Sequence, residues 1–182
     1  MNSRRLSIPL FIVIGLGIVL LVMMRGPVAR QKRLASCQSN LKQIGLAMMQ
    51  YVRDHDEKQH IVTNWQDALN PYYRSPKNWK CPETSTYYAT NRYYSGLDIK
   101  YDKTIANTPL YYDSTSLKKN TFDIGTSWPV EGAHFRMGSP YDWQGTGGNN
   151  VCYADGHVKW ERIKPKFRAI GPTVPPLPQV KK

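Results

Sequence analysis

The first third of the chain constrains the fold more than anything that follows it. Leu6 to Met24 is a run of 19 residues without a charged side chain. As a helix rising ~1.5 Å per residue it reaches roughly 28 Å, about one bilayer hydrocarbon core. Beyond it, Leu34, Cys37, Leu41, Ile44, Met48 and Val52 recur at three- and four-residue steps and so share one helical face. The expectation is a single helix, half in lipid and half laid against a folded head. Pro9 falls near the start, where a missing N–H is tolerated, and Gly26-Pro27 is expected to kink the junction.

A formal net charge of +12 over 182 residues points to nucleic acid until the charge is located. Residues 1–53 hold eight Lys or Arg and no carboxylate, and residues 162–182 hold six and again none. Between them, 54–161 carry eleven cations against thirteen Asp or Glu, a net of −2. A nucleic-acid-binding domain carries its basic patch on the folded surface, so no nucleic-acid partner is expected. Arg25, Arg30, Lys32 and Arg33 instead suit anionic lipid headgroups, each contributing about 1 kcal/mol. Cations counted on either side of the apolar run mildly favour a cytoplasmic head. A disulfide among the three cysteines would favour an oxidising compartment, and the residues alone leave the orientation open. The run is longer than a usual signal sequence, and no small-x-small cleavage site follows it directly. Leu34-Ala35-Ser36-Cys37 reads like a lipoprotein processing box, but four charged residues separate it from the run. Cys37 is therefore expected to be a core-facing helix residue.

About 130 residues remain for the folded part, enough for one domain with a modest core. The amphipathic helix is expected over 28–53, ended by the Asp54-His55-Asp56-Glu57-Lys58 cluster. Thr63 to Gln66 has capping-box spacing and predicts a short helix through Leu69, stopped by Pro71. The Tyr, Asn, Ser and Pro content of Tyr72 to Tyr112 predicts loops with short strands. Strands are predicted over Thr108–Asp113 and Trp128–Phe135. Asn150 to Trp160 carries the strongest hairpin signal, with Asp155-Gly156 as its tight turn. Gly145, Gly147 and Gly148 before it are expected to form a flexible approach loop. After Ile163 the tail holds five prolines and almost no apolar pattern, which predicts an extended, disordered segment. The organisation expected is an anchor over 1–27, a head over 28–163 and a Pro-rich basic tail over 164–182. Helix first and antiparallel strands last give an α+β fold, the helix's apolar stripe lying on one face of a small sheet.

Three segments together resemble a known family. Ser36-Cys-Gln-Ser-Asn-Leu-Lys-Gln-Ile-Gly-Leu-Ala-Met48, then Tyr51 and the acidic residues 54–57, resemble the helix signature of bacterial type IV pilin-like proteins. Within them the chain is similar to the prepilin-type subgroup named for a histidine, nine residues, then Asp-Gly. Trp79-Lys-Cys81-Pro82 with Tyr87 to Asn91 resembles that subgroup's central region, and Gly147 to Trp160 resembles its closing hairpin. The subgroup's histidine position holds Gly145, and His134 can take the role only if 136–144 form an inserted loop. The glutamate that follows the family's leader has no counterpart among residues 1–24. The resemblance implies a pilin-like α+β fold, a single-pass helix in the bacterial cytoplasmic membrane and an extracytoplasmic head. It also implies a structural role among sister or other pilin-like subunits, in a type II secretion or type IV pilus-like assembly. A second reading is a permanently tethered module whose aromatic head recognises a cell-surface polymer or glycan.

Candidate sites are few. Cys37 and Cys81 either bond, clamping the loop over the helix, or remain free buried thiols, and Cys152 is expected to be a small buried hydrophobe. Asp155-Gly156-His157 reads first as turn geometry. A sharper reading has Asp113, Asp155 and His157, with His134, binding a hard cation such as calcium. Cys152, His134, His157 and Asp155 are a conceivable nucleophilic set, but no nucleophile motif surrounds them, so no enzyme is expected. The tyrosines are read as packing for a head poor in aliphatic residues, with glycan stacking as the alternative.

Overall fold

The computed structural model describes residues 7–73, 79–96, 104–136 and 146–167, without the side chains of 7–12, 20–27, 30, 135, 136 and 146. Helix α1 spans Ser7–Asp54, 48 residues without interruption, and is about 72 Å long at ~1.5 Å per residue. It runs helical through Gly26-Pro27, the pair at which a kink is expected. Cys37, Leu41, Ile44, Met48 and Val52 are buried, while Leu34, where the helix leaves the head, is half-buried. Leu6, the side chains of most of the apolar run and those of Arg25 and Arg30 lie outside the described residues. Among the described residues no helix is long and apolar enough to cross a membrane. Val13, Ile14, Leu16, Ile18 and Val19 on the projecting half are all at least 49% exposed.

Two left-handed residues, Asp56 and Glu57, end α1, with Glu57 N–H donating to Val52 C=O at 3.0 Å. The predicted short helix is present as a 3-10 turn, Val62–Asn64, running into α2, Trp65–Leu69. No Thr63 side chain caps it. Gln66 is drawn instead to Asn120, each accepting the other's backbone N–H at 3.1 and 2.9 Å. This exchange ties α2 to the loop before strand β3.

The strands are β1 Tyr88–Asn91, β2 Pro109–Asp113, β3 Phe122–Asp123, β4 His134–Arg136, β5 Thr146–Tyr153 and β6 Val158–Glu161. They form one sheet ordered β3-β1-β2-β5-β4, with β6 also paired to β5. All pairs are antiparallel except the two-residue β1–β3 contact, which is parallel. The fold is thus α+β, one long helix on a small and mainly antiparallel sheet. Trp128 closes a turn, its N–H donating to Gly125 C=O at 3.3 Å, and the strand expected over Trp128–Phe135 begins only at His134. Gly147 and Gly148 lie within β5 rather than in a flexible loop, while Gly145 lies outside the described residues. A Cβ on Gly147 would stand 1.9 Å from Glu131 C=O, and one on Gly148 2.3 Å from the Trp160 ring. Backbone approach this close admits only glycine.

Strand alternation gives the sheet two buried faces. Tyr88, Tyr111 and Cys152 face α1 with Trp65 and Leu69, joined by Leu110 at the register irregularity between Pro109 and Tyr111. Ala89, Tyr112, Val151 and Tyr153 face the other way, with Trp128 and Phe167. The Phe167 ring meets Tyr112 edge-on at 4.8 Å. The tail is therefore docked as far as Phe167, against the expectation of disorder from 164, and residues 168–182 lie outside the described residues.

Candidate functional site

Two places on α1 carry chemistry or close recognition. The first is where the β5–β6 hairpin presses on the helix. A Cβ on Gly45 would meet Cys152 Sγ at 2.7 Å and Gly156 Cα at 3.3 Å. Lys42 Nζ donates to Gly156 C=O at 2.8 Å, so the hairpin turn is held from the helix side as well. Gly156 has φ +83°, a conformation that glycine adopts without Cβ strain. Asp155 accepts from His157 N–H at 3.0 Å and stands 2.6 Å from its Nδ1. Burial pushes the Asp155 carboxyl up, but the His157 backbone and ring outweigh it and hold it below the usual carboxylate range. Cys152 is fully buried beneath this turn, and burial pushes its thiol up to about 12. A thiol in that state is a packing group and no nucleophile.

The second place lies about two helical turns toward the N-terminus. Cys37 on α1 and Cys81 are disulfide-bonded, their Cα atoms 5.2 Å apart. Cys81 is presented by a tight turn, its N–H donating to Thr86 C=O at 2.9 Å and its C=O accepting from Ser85 N–H at 2.8 Å. In the chain-entropy model a closed loop of 44 residues stabilises by about 4 kcal/mol. The Cys37 side chain is thereby sealed into the head, as a core-facing residue. Arg33, one turn earlier, pairs with Glu83 of the same loop, so at least one cation assigned to headgroups serves the head.

His134 and Asp113 complete this buried cluster. His134 Nε2 lies 3.5 Å from Cys81 Sγ and 3.0 Å from Asp113 Oδ2. Asp113 Oδ2 also accepts from Asn150 N–H at 2.6 Å. Each side chain arrives by strand geometry. Asp113 is two residues beyond Tyr111 on β2, and Asn150 two before Cys152 on β5, so both share the α1 side of the sheet with those core residues. His134 pairs with Gly148, in phase with Asn150. The loop entering β4 is fixed by Asn149, which accepts from Ala133 N–H at 2.7 Å and donates to Pro129 C=O at 2.9 Å. Residues 137–145, nearly all of the inserted loop expected over 136–144, lie outside the described residues, and Arg136 itself is the last residue of β4, paired with Thr146.

The structure does not gather the set considered for calcium. Asp113 ends β2, whereas Asp155 and His157 sit near Thr108 at the opposite end of that strand, roughly 15 Å away at ~3.3 Å per residue. Asp113 belongs instead with His134, the one residue of the wider set that reaches it. The sequence reading missed Asn150 and Asn149. Its available signal was the polar residue in phase with the buried Tyr111 and Cys152. The tyrosines at 88, 94, 111 and 112 are fully buried, which removes them as surface platforms for sugar rings.

Residues 28–58, covering the second half of α1 and its exit turn, match the model of a family described as Protein of unknown function (DUF1559). That family is associated with pilin-like and type II secretion pseudopilin-like proteins. No curated protein and no solved structure matches the chain.

Proposed function

We propose that this protein is a pilin-like structural subunit, held in a bacterial cytoplasmic membrane by the N-terminal half of α1 with its head outside the cytoplasm. One observation carries the reading. The helix whose Leu41, Ile44 and Met48 form the head's core continues without a break into a half where Val13, Ile14, Leu16, Ile18 and Val19 are exposed, with no covering partner among the described residues. Exposed apolar side chains on a projecting helix need either lipid or another helix. The uncharged sequence run of 19 residues has the length for the first, and its Gly15 and Gly17 leave room for close helix approach in the second. The work of such a subunit is assembly by packing of helices side by side, and none of its residues is assigned to catalysis. Lys32, exposed beside the junction, and Arg25 and Arg30 in the sequence are the cations placed for anionic headgroups. Extraction of the full chain from its native membrane in mild detergent, followed by native-size analysis and cross-linking through Leu16→Cys, tests the proposal. Oligomers cross-linked at this position are expected. Strictly monomeric protein that cross-links to nothing would refute the assembly role.

A further inference from the structure

We propose that, once the Cys37–Cys81 bond is reduced, the buried cluster beneath α1 binds one zinc ion through Cys37, Cys81, His134 and Asp113. The donor atoms of Cys37, Cys81 and His134 all lie within 4.8 Å of one another, and all three residues are buried. They arrive from three different elements, so the convergence is not a by-product of local sequence. A tetrahedral zinc with its usual sulfur and nitrogen bond lengths sets a sulfur–nitrogen edge of about 3.5 Å and a nitrogen–oxygen edge of about 3.3 Å. Cys81 Sγ to His134 Nε2 is 3.5 Å and His134 Nε2 to Asp113 Oδ2 is 3.0 Å. Two edges of the polyhedron are therefore in place before any ion enters.

The polar groups around the cluster are an independent indication. Asp113, Asn150 and His134 are at most 2% exposed. Among the described residues, Asp113 Oδ1 and both side-chain heteroatoms of Asn150 have no hydrogen-bond partner. Buried polar atoms normally find partners, and a carboxylate in such a place calls for a cation. Zinc supplies one. Two thiolates, an imidazole and a carboxylate are a zinc donor set, whereas calcium takes six to eight oxygens and finds one carboxylate here.

The chemistry balances. A dithiol reductant gives two electrons and two protons to the Cys37 and Cys81 sulfurs and itself becomes a disulfide. Zinc then displaces both thiol protons to solvent and is held by the two thiolates. His134 enters as the Nδ1–H tautomer, the ring proton moving from Nε2 to Nδ1 through solvent, so that the bare Nε2 binds zinc and the Asp113 carboxylate it leaves takes the fourth position.

The test uses the full chain in non-ionic detergent. One sample stays oxidised; another is reduced with a dithiol in denaturant and refolded with one equivalent of zinc. Both are desalted and assayed for metal, free thiols and far-ultraviolet circular dichroism. One zinc per chain in the reduced sample and none in the oxidised sample is expected, with a thiolate-to-metal charge-transfer band when cobalt replaces zinc. His134→Gln is expected to abolish stoichiometric binding, and Asp113→Asn to weaken it ten- to a hundredfold. The idea fails if the reduced chain folds without metal retention or does not regain its spectrum with zinc present. It fails equally if oxidised protein holds the same zinc, or if both variants bind like the parent.

Discussion

His60 makes the head sensitive to mild acid. It is fully buried, stacked on Tyr111 at 5.8 Å and hydrogen-bonded through Nε2 to the Tyr111 hydroxyl, with Trp65 alongside. Burial lowers its pKa from 6.5 to about 4, and hydrogen bonds to the backbone at residues 60 and 61 offset only part of that. The unfolded chain takes up a proton near 6.5 while the folded head refuses it until about 4. The unfolded state thus binds more protons across this window, and stability rises with pH there. The contribution is fully present above 6.5 and is lost as pH falls toward 4, roughly 3 kcal/mol in all. Guanidinium unfolding of the full chain in detergent, followed by tryptophan fluorescence at half-unit steps from pH 7.5 to 4.5, measures it. His60→Gln keeps an acceptor for the Tyr111 hydroxyl but cannot take the proton. The parent should lose about 2.5 kcal/mol more than the variant over that range, which stops short of the folded pKa. Parallel curves would refute the claim that a neutral, buried His60 supports the core. Asp67, held low by Lys119 and Asn120, adds its own acid sensitivity at lower pH and is common to both proteins.

Other consequences are as direct. Gly45→Leu drives a side chain into Cys152 and Gly156 and should cost about 3 kcal/mol, lowering the melting temperature by on the order of 10 °C in a thermal scan; an unchanged transition would mean that the hairpin does not press on α1. Phe167→Ala removes the ring that covers Tyr112 and Trp128 and should cost about 1–2 kcal/mol in denaturant unfolding, whereas no change would return the tail to disorder. Cys152 should resist iodoacetamide in the native protein and react only on unfolding, as read by intact mass. Rapid native alkylation would contradict its burial.

The helix spine was legible because a three-to-four periodicity is written locally: Cys37, Leu41, Ile44, Met48 and Val52 are buried as their spacing requires. The Asp155-Gly156 hairpin was legible for the same reason, its turn chemistry lying within a few residues. The β4–β5 register was not, because it depends on Gly132, Gly147 and Gly148 letting backbones approach, and a glycine run reads equally as a loop. Nor was the docking of Phe167, a single aromatic among prolines whose ring partners, Tyr112 and Trp128, are about 40 to 55 residues away in sequence. The buried cluster was half legible. Asp113 and His134 stood out as titratable groups, but only strand phase and the disulfide show that they meet at Cys81 and not at the hairpin turn.

The central claim is that one helix serves two environments, and a nitroxide scan of α1 in liposomes tests it most directly. Labels on Ile14→Cys, Leu16→Cys, Ile18→Cys, Leu46→Cys and Met49→Cys are attached in the full chain, where the native thiols are bonded or buried. Collisions with oxygen, which partitions into lipid, are compared with those of a water-soluble nickel chelate. The account predicts oxygen access and nickel exclusion at 14, 16 and 18, with the reverse at the exposed 46 and 49. Nickel access at 14, 16 and 18 would place the projecting half of the helix in water and contradict it.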